Sequence, residues 1–373
     1  MSSLLSVGLS HVGKSTIFNV ARRSKSTSVG LVGLANVGKS TIFNALAQRA
    51  LSFVGNFPFA TIDPCTTLIS VPDKRLDELA RVSLSVKRTP ATVELRDIAG
   101  LVRGAADGKG LGSQFLANIS SVTSILHVVR CFDDATIEHV EKRIDPVADI
   151  AIINSELALR DLHVLEQRCK ARRISAVELE LAKKLMTLLI SEQLQQVQQF
   201  VDALTPEQAA IVTQFGLISA KKQHLLLNTD EAGLRAGNNF LEAALRQHPD
   251  ATVVCGKLEA DVIGIDDENE KLELLSSFGV VEPALDVVAR KAIALLDCRV
   301  FYTTGDTESR CWIFKRGTVA RDCAALIHTS FAKNFVRAEV RSYADALLGK
   351  PARIEGPNYV VNDGDVIFFR ISQ

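Results

Sequence analysis

Three rhythms of apolar and polar residues run along the chain. The first is a series of short apolar runs bounded by glycine or polar clusters: SVGLVG (28–33), TLISVP (67–72), TVELRD (92–97), SILHVVR (124–130), HLLLN (224–228) and TVVC (252–255). Helical spacing separates several of them. In STIFNALAQRAL, Ile42, Phe43, Leu46 and Leu51 share one stripe. Short buried strands alternating with amphipathic helices predict an α/β fold, with a mainly parallel sheet covered by helices on both faces. The second rhythm occupies about 146–214. Apolar residues recur at 150, 153, 157, 159, 162 and 165, then at 181, 185, 188, 194, 197, 201 and 204, with the polar turn KARRIS (170–175) between. This predicts two antiparallel helices forming an arm. A further helix starts at Thr205, with Pro206 at its first position and Gln208 completing a capping box. The third rhythm, from about 298, has period two. RVFYTT, RCWIFK, NYVVND and DVIFFRIS read as four strands, ARDCAALIHTSFAKNF (320–335) as one helix, and NDGD (362–365) as the turn joining the last two strands. A small sheet carrying one helix fits a β-grasp, ubiquitin-like module.

These rhythms divide the chain into an N-terminal extension (1–27), a nucleotide-binding domain in two parts (28–145 and 220–297), a helical insertion (146–219) and the C-terminal module (298–373). The 373 residues are 47% hydrophobic and 23% charged, an ordinary globular composition. Lys+Arg and Asp+Glu both number 43, so no overall charge draws the chain to nucleic acid. The C-terminal module leans weakly basic, with 11 Lys/Arg against 8 Asp/Glu. Seven scattered cysteines with no C-x-x-C pair argue for a reducing compartment and against a zinc site or disulfide framework. No apolar run is long enough to span a membrane.

The chemistry begins at GLANVGKST (33–41), which matches G-x-x-x-x-G-K-[ST]. Gly33, Asn36, Val37, Gly38, Lys39, Ser40 and Thr41 lie between a strand and a helix, where curled backbone N–H groups face phosphate oxygens. Lys39 is the charge for the β/γ-phosphates, and Ser40 is a candidate Mg²⁺ ligand. Thr61, in NFPFATIDP (56–64), is placed to meet the metal and γ-phosphate when its loop closes. RDIAG (96–100) ends a strand with D-x-x-G, in which Asp97 can hold the metal through water and Gly100 can offer its N–H to the γ-phosphate. Lys39, Thr61 and Asp97 come in the order of a nucleotide switch. Leu101 stands where such switches place a water-orienting glutamine, and leucine cannot hold water by hydrogen bonding. Hydrolysis is therefore expected to be slow or to use another group. Where N-K-x-D would select guanine, the chain reads Asn228-Thr229-Asp230-Glu231. That weakens guanine selectivity and brings in adenine.

VGLANVGKSTIFNAL, NFPFATIDP, DIAGLVRGAADGKGLGSQFLANI, HVVRCFDD, NTDE and the C-terminal WIFKRGT, IHTSFAKNFVRAEV and YVVNDGDVIFFR together resemble the Obg-like ATPases, the YchF subfamily of Obg-type P-loop proteins, from about Ser28 to Gln373. The resemblance implies a G domain interrupted by a coiled-coil arm and followed by a TGS domain. It implies ATP in preference to GTP, with Asn228, Thr229 and Glu231 at base-contacting positions. Ser40 and Thr61 match the family's Mg²⁺ ligands. His139, in ATIEHVEK, matches a histidine proposed to assist hydrolysis. Ribosome association, RNA contact through the TGS domain and arm, a mostly monomeric state and a cytoplasmic location follow in the same way. Two departures stand out: the arm and final domain are compact, and Ala35 replaces a common proline. The remaining alternatives are a nucleotide-gated ribosome or RNA regulator with negligible turnover, and a GTPase.

One stretch is repeated. VGLSHVGKSTIFN begins at Val7 and VGLANVGKSTIFN at Val32, identical at eleven of thirteen positions. The first copy has no Thr61, Asp97 or base-reading strand of its own, so one nucleotide site is expected, at Gly33–Thr41. Residues 1–28 carry eight serines and four basic residues, and the first 62 residues contain no Asp or Glu. That composition makes a mitochondrial presequence the alternative location.

Overall fold

A computed structural model describes residues 28–54, 61–63, 66–98, 111–191, 194–265 and 267–372. The N-terminal extension with its phosphate-loop echo lies outside these. The chain divides into two compact units, one comprising Ser28–Pro72 and Ala91–Cys298, the other containing Asp73–Pro90 and Arg299–Gln373.

Among the described residues, eight strands precede residue 255: β1 (Ser28–Val32), β2 (Thr61–Asp63), β3 (Thr66–Val71), β4 (Lys87–Thr89), β5 (Ala91–Asp97), β6 (Ser124–Arg130), β7 (Gln223–Asn228) and β8 (Thr252–Val254). All but β4 form the sheet of the larger unit, ordered β2-β3-β5-β1-β6-β7-β8. β5, β1, β6, β7 and β8 run parallel, while β3 and β2 extend the sheet antiparallel. Every residue of β1 and β6 is buried, as expected of central strands covered on both faces. β1 and its neighbours carry the candidate site residues at their C-terminal ends, where the phosphate loop, Asp97 and Asn228 all lie.

The arm helix Pro146–Cys169 begins with Asp145 accepting from the Ala148 N–H and with proline in its first turn. Its partner Ala176–Ile190 starts with a full capping box between Ser175 and Glu178. A separate helix, Leu194–Asp202, follows, so the second arm element stops near Ser191 instead of running through. The expected box at Thr205 and Gln208 forms at the start of Pro206–Phe215. Leu165, Leu181, Leu185, Leu189, Val197, Val212 and Phe215 make one apolar core inside this helical region. Leu159, placed on the stripe by spacing, is instead 54% exposed.

Among the described residues, the smaller unit carries a six-stranded sheet. Beyond β4 it contains β9 (Cys298–Thr303), β10 (Glu308–Lys315), β11 (Phe335–Arg341), β12 (Arg353–Glu355) and β13 (Asp365–Ile371), ordered β12-β11-β13-β9-β10-β4. Phe301, Phe314, Cys323, Val340, Ile367 and Phe369 fill its core, with the Phe301 and Phe369 rings 5.9 Å apart at 86°. The sequence reading changes here in three places. The helix expected over 320–335 is two short helices, Ala320–Ile327 and Thr329–Lys333. They are broken at His328, whose backbone is extended and whose Nδ1 accepts the Ser330 N–H. Phe335 then opens β11. NYVVND is not a strand but an irregular run whose bridge is Val319 with Val360. It does lead through the turn at Asn362–Asp365, with Gly364 at φ 84°, into β13.

The third change concerns a boundary. Residues 73–90 were expected to belong to the nucleotide-binding domain. They pack instead with the C-terminal sheet, β4 pairing parallel with β10. Asp73 caps the helix Lys74–Val82 and accepts the Tyr302 hydroxyl, and Arg75 bridges Asp73 and Asp363 at 2.9 Å each. The Tyr343 hydroxyl reaches Glu78 at 2.6 Å.

Candidate functional site

The phosphate loop leaves β1 at Gly33 and enters the helix Lys39–Val54. A Cβ on Gly33 would stand 2.4 Å from the Val128 carbonyl oxygen, so only glycine lets the loop lie against β6. Asn36 and Gly38 take positive φ of 62° and 95°, and these two turns curl the backbone into an anion cradle. The helix that follows adds its N-terminal partial charge. Lys39 is 7% exposed and donates to the Leu34 carbonyl at 2.6 Å. Burial lowers its pKa to about 8, against the opposing pull of Asp97.

Ser40 donates its hydroxyl to Asp97 Oδ2 at 3.0 Å, joining the loop to the end of β5. Burial raises the Asp97 pKa despite Ser40 and Lys39. Its other oxygen, Oδ1, is buried with no hydrogen-bond partner. A hydroxyl beside an unpartnered carboxylate oxygen is a donor set that fits Mg²⁺, which takes one or two protein oxygens and leaves the rest to water and phosphate. The described residues contain no group of three or more His, Cys, Asp or Glu able to hold a metal. Thr61 contributes its backbone to β2, opposite Thr67 in β3, and its side chain lies outside the described residues. So do Gly100 and Leu101.

The opposite wall is built by residues from the ends of β7 and β8. Asn228 is 5% exposed. Its Nδ2 donates to the Val37 carbonyl at 2.9 Å, and its Oδ1 accepts the Gly256 N–H at 3.1 Å. The side chain expected at the base therefore stitches the phosphate loop to the turn after β8. Thr229 is 3% exposed, and its hydroxyl donates to the Cys131 carbonyl at 3.2 Å while accepting from Asn238 at 3.2 Å. Glu231 pairs with Lys257 at 3.1 Å on the more open side. Of the three base-contact candidates, Glu231 is thus the least buried.

His139 lies in the loop that joins β6 to the helix Pro146–Cys169. It is 6% exposed, with Nε2 2.9 Å from Asp149 Oδ2 and Nδ1 accepting the Glu141 N–H. A ring nitrogen that accepts a backbone N–H leaves Nε2 as the protonated one, donating to the carboxylate. His127 is a packed strand histidine, as its place in SILHVVR indicates, 1% exposed and with burial lowering its pKa to about 3.

Sequence reasoning did not single out Arg130 or Asn238. Arg130, 1% exposed at the end of β6, donates to the carbonyls of Phe132, Asp134 and Ile137 and lies over the Phe132 ring at 4.6 Å. A charged residue closing an apolar strand was the available signal: its fork needs several acceptors once buried. Asn238 holds both Thr229 and the Cys131 carbonyl.

Residues 28–166 match a family model described as a 50S ribosome-binding GTPase. Residues 298–372 match the YchF C-terminal model, described as a protein of unknown function. The chain is 39% identical over 389 aligned residues to the ribosome-binding ATPase YchF of Bacillus subtilis, covering 98% of each. It is 37% identical over 384 residues to the protein of the same name from Escherichia coli O157:H7, covering 97% of each. The YchF GTPase structure from Schizosaccharomyces pombe superposes with a TM-score of 0.76 at 30% identity, over 92% of this chain and 97% of that one.

Proposed function

The chain belongs to the YchF family, and on that premise we propose that it is a slow Mg²⁺-dependent ATPase that prefers ATP to GTP and acts as a conformational switch on the ribosome. The observation that carries this reading is the cradle itself: Ser40 bonded to Asp97 at 3.0 Å, with Asp97 Oδ1 buried and unpartnered beside Lys39. Mg²⁺ bound there would offset charge on the phosphates and order them. The chain's own residues do the remaining work. N–H groups of residues 33–41 bind and orient phosphate oxygens. Lys39 holds a positive charge at the loop, and a bound phosphate raises its pKa from about 8 and keeps it protonated. Thr61 is the further candidate for the metal, and the Gly100 N–H for the γ-phosphate, by their places in the motifs. With Leu101 in place of a water-orienting side chain, turnover is slow.

The base preference rests on Asn228-Thr229-Asp230-Glu231. The Thr229 hydroxyl donates to the Cys131 carbonyl, and the Glu231 carboxylate sits beside Lys257 where Asn-Lys-x-Asp proteins present an aspartate. The names of the relatives divide between ATPase and GTPase, so competition of ATP and GTP for a fluorescent nucleotide is the deciding experiment. ATP is expected to displace the probe at lower concentration; a GTP advantage of about tenfold, or 1.4 kcal/mol, overturns the preference. The ribosome-binding names of relatives, the basic lean of the C-terminal TGS-type module and the exposed KARR turn of the arm (170–173) support a ribosomal partner. Among the described residues no helix is long and apolar enough to cross a membrane. The ribosome-binding names of the relatives favour a cytoplasmic location, and a mostly monomeric state belongs to the same proposal, with a mitochondrial location the alternative if residues 1–27 act as a presequence. Co-sedimentation with ribosomes tests the partner, and absence from the ribosomal pellet with ATP present would sink it.

A further inference from the structure

The phosphate loop lies at the C-terminal edge of the parallel strands. A second polar cluster lies at their N-terminal edge, where Ser28, Ser124 and Gln223 begin β1, β6 and β7. Here the helical insertion rejoins the sheet. Residues 216–222 lead from the helix Pro206–Phe215 into β7, and the Lys222 carbonyl accepts the Ile125 N–H at 3.0 Å. Asp161, fully buried on the arm helix Pro146–Cys169, accepts the Ile218 N–H at 3.1 Å, the Ser219 N–H at 2.7 Å and the Ser219 hydroxyl. Its neighbour Arg160 donates to the Asp161 carboxylate at 2.7 Å and to the Gly216 carbonyl at 2.8 Å. The outgoing and returning chains of the insertion are thereby fastened to each other. The same junction holds a third element, the helix Leu111–Ser121, which follows Asp97 in the chain and buries Phe115 and Ile119. Lys221 donates to the carbonyls of Ile119 at 2.7 Å, Ser120 at 2.9 Å and Val122, and Arg160 reaches the Ser120 hydroxyl at 3.4 Å.

We propose that Lys221 is a positioning residue that joins the helical insertion to the helix Leu111–Ser121, so that nucleotide occupancy and the placement of the arm belong to one equilibrium. The inference rests on the reading of residues 33–41 and Asp97 as the nucleotide and metal site. The last carbonyls of a helix have no partner within it, and its negative end favours a cation. An ammonium has three donors and no acceptor, and Lys221 directs them at three successive turns of backbone around this one helix end. Because the lysine comes from the returning chain of the insertion, the cap ties that chain to the helix. The helix has 11 residues and so extends about 16 Å, from the Asp97 side of the sheet to the far edge. Val122 sits close on β1, where a Cβ on Gly30 would stand 3.0 Å from it. The helix end therefore has little room to shift without moving the residues that hold it. Linkage makes the coupling reciprocal: what ATP does to the arm, a partner on the arm does to ATP.

The test measures ATP affinity, saturated turnover and amide hydrogen exchange of residues 157–165 and 216–222 in the full-length protein, with and without Mg-ATP. The variants are Lys221→Met, Lys221→Arg and Arg160→Ala, with Leu185→Ala as a control that loosens the arm core away from the junction. The wild type is expected to change its exchange in 216–222 when Mg-ATP binds. Lys221→Met should lose that change. Its saturated turnover should fall about tenfold while ATP affinity stays within about threefold, because the ammonium touches no residue of the phosphate loop. Lys221→Arg keeps donors for the carbonyls and should recover most of both. Arg160→Ala removes the reach to Ser120 and leaves Asp161 bonded to Ile218 and Ser219. It is expected to fold and to diminish the ATP-linked change at least about twofold, which covers the case of a Lys221 variant that does not fold. Leu185→Ala should keep the ATP-linked change despite its lower stability, and this separates positioning from a general loss of stability. An ATP-linked change that persists in Lys221→Met, or at full size in Arg160→Ala, would overturn the proposal, as would its loss in Leu185→Ala. A wild type that binds ATP with no change in 216–222 would also overturn it. A wild type that binds neither ATP nor GTP would instead refute the nucleotide-site reading beneath it.

Discussion

Asn228→Ala separates a side chain that reads a base from one that holds the site together. The amide makes two buried bonds, to Val37 O at 2.9 Å and from Gly256 N at 3.1 Å. Alanine removes both and leaves one backbone carbonyl and one backbone N–H unsatisfied. Each orphaned buried partner costs about 1–3 kcal/mol, and water entering from the cleft recovers part of that. The expected loss is about 2–4 kcal/mol in unfolding free energy, measured by urea denaturation without nucleotide. Affinity for a fluorescent ATP analogue should fall as well, because Val37 precedes the left-handed Gly38 that shapes the cradle. Gly38 lies close enough that a Cβ there would come 2.1 Å from Asn228 Nδ2, so Gly38→Ala should displace the same amide and reproduce the affinity loss. Asn228→Asp keeps the acceptor for Gly256 but sets a carboxylate against the Val37 carbonyl, and is expected to bind ATP more weakly than the alanine variant. A stability change under about 0.5 kcal/mol for Asn228→Ala, with ATP affinity lost, would refute the stitching argument and restore a pure base contact.

Further outcomes follow from the same geometry. Leu185, fully buried in the arm core, should cost about 3 kcal/mol as Leu185→Ala while ATP affinity stays within twofold; calorimetric unfolding and a binding titration check both. His127 stays neutral in the folded protein down to a pKa of about 3, whereas the unfolded chain takes up a proton near pH 6.5. Stability from this group is therefore complete above pH 6.5 and falls by about 1.4 kcal/mol per pH unit on acidification, and His127→Leu should flatten that acid limb in denaturation at pH 4–7. Tyr302→Phe removes the hydroxyl bond to Asp73 and should destabilise the C-terminal unit by about 1 kcal/mol, read as earlier exchange of β9 and β10 amides.

Much of this was legible in the chain. β1, β5, β6 and β7 are apolar runs closed by polar residues, and they emerged within a residue of their expected bounds. The phosphate loop announced itself because its glycines answer to geometry: Gly33 to a close carbonyl, Gly38 to positive φ. The Thr205–Gln208 cap is local, and so it was readable. What stayed hidden depends on distant partners. β4 is three polar residues whose strand character exists only because Glu308–Arg310 pairs with it about 220 positions later. β11 alternates Val336, Ala338 and Val340, but it follows a helical pattern that His328 interrupts with one extended residue, invisible to periodicity. Asn228 was found by its motif, but its bond to Val37 joins residues 191 positions apart and no local pattern shows it. His139 likewise shows its partner only when the arm's first turn folds beside it.

The central claim is one nucleotide site, at Gly33–Thr41, in a chain that spells the motif twice. Calorimetric titration of the full-length protein with Mg-ATP tests it most directly. The account predicts one ATP per chain, no detectable binding by Lys39→Ala, and wild-type binding by Lys14→Ala. Two ATP per chain, or loss of binding in Lys14→Ala with Lys39 intact, would contradict it.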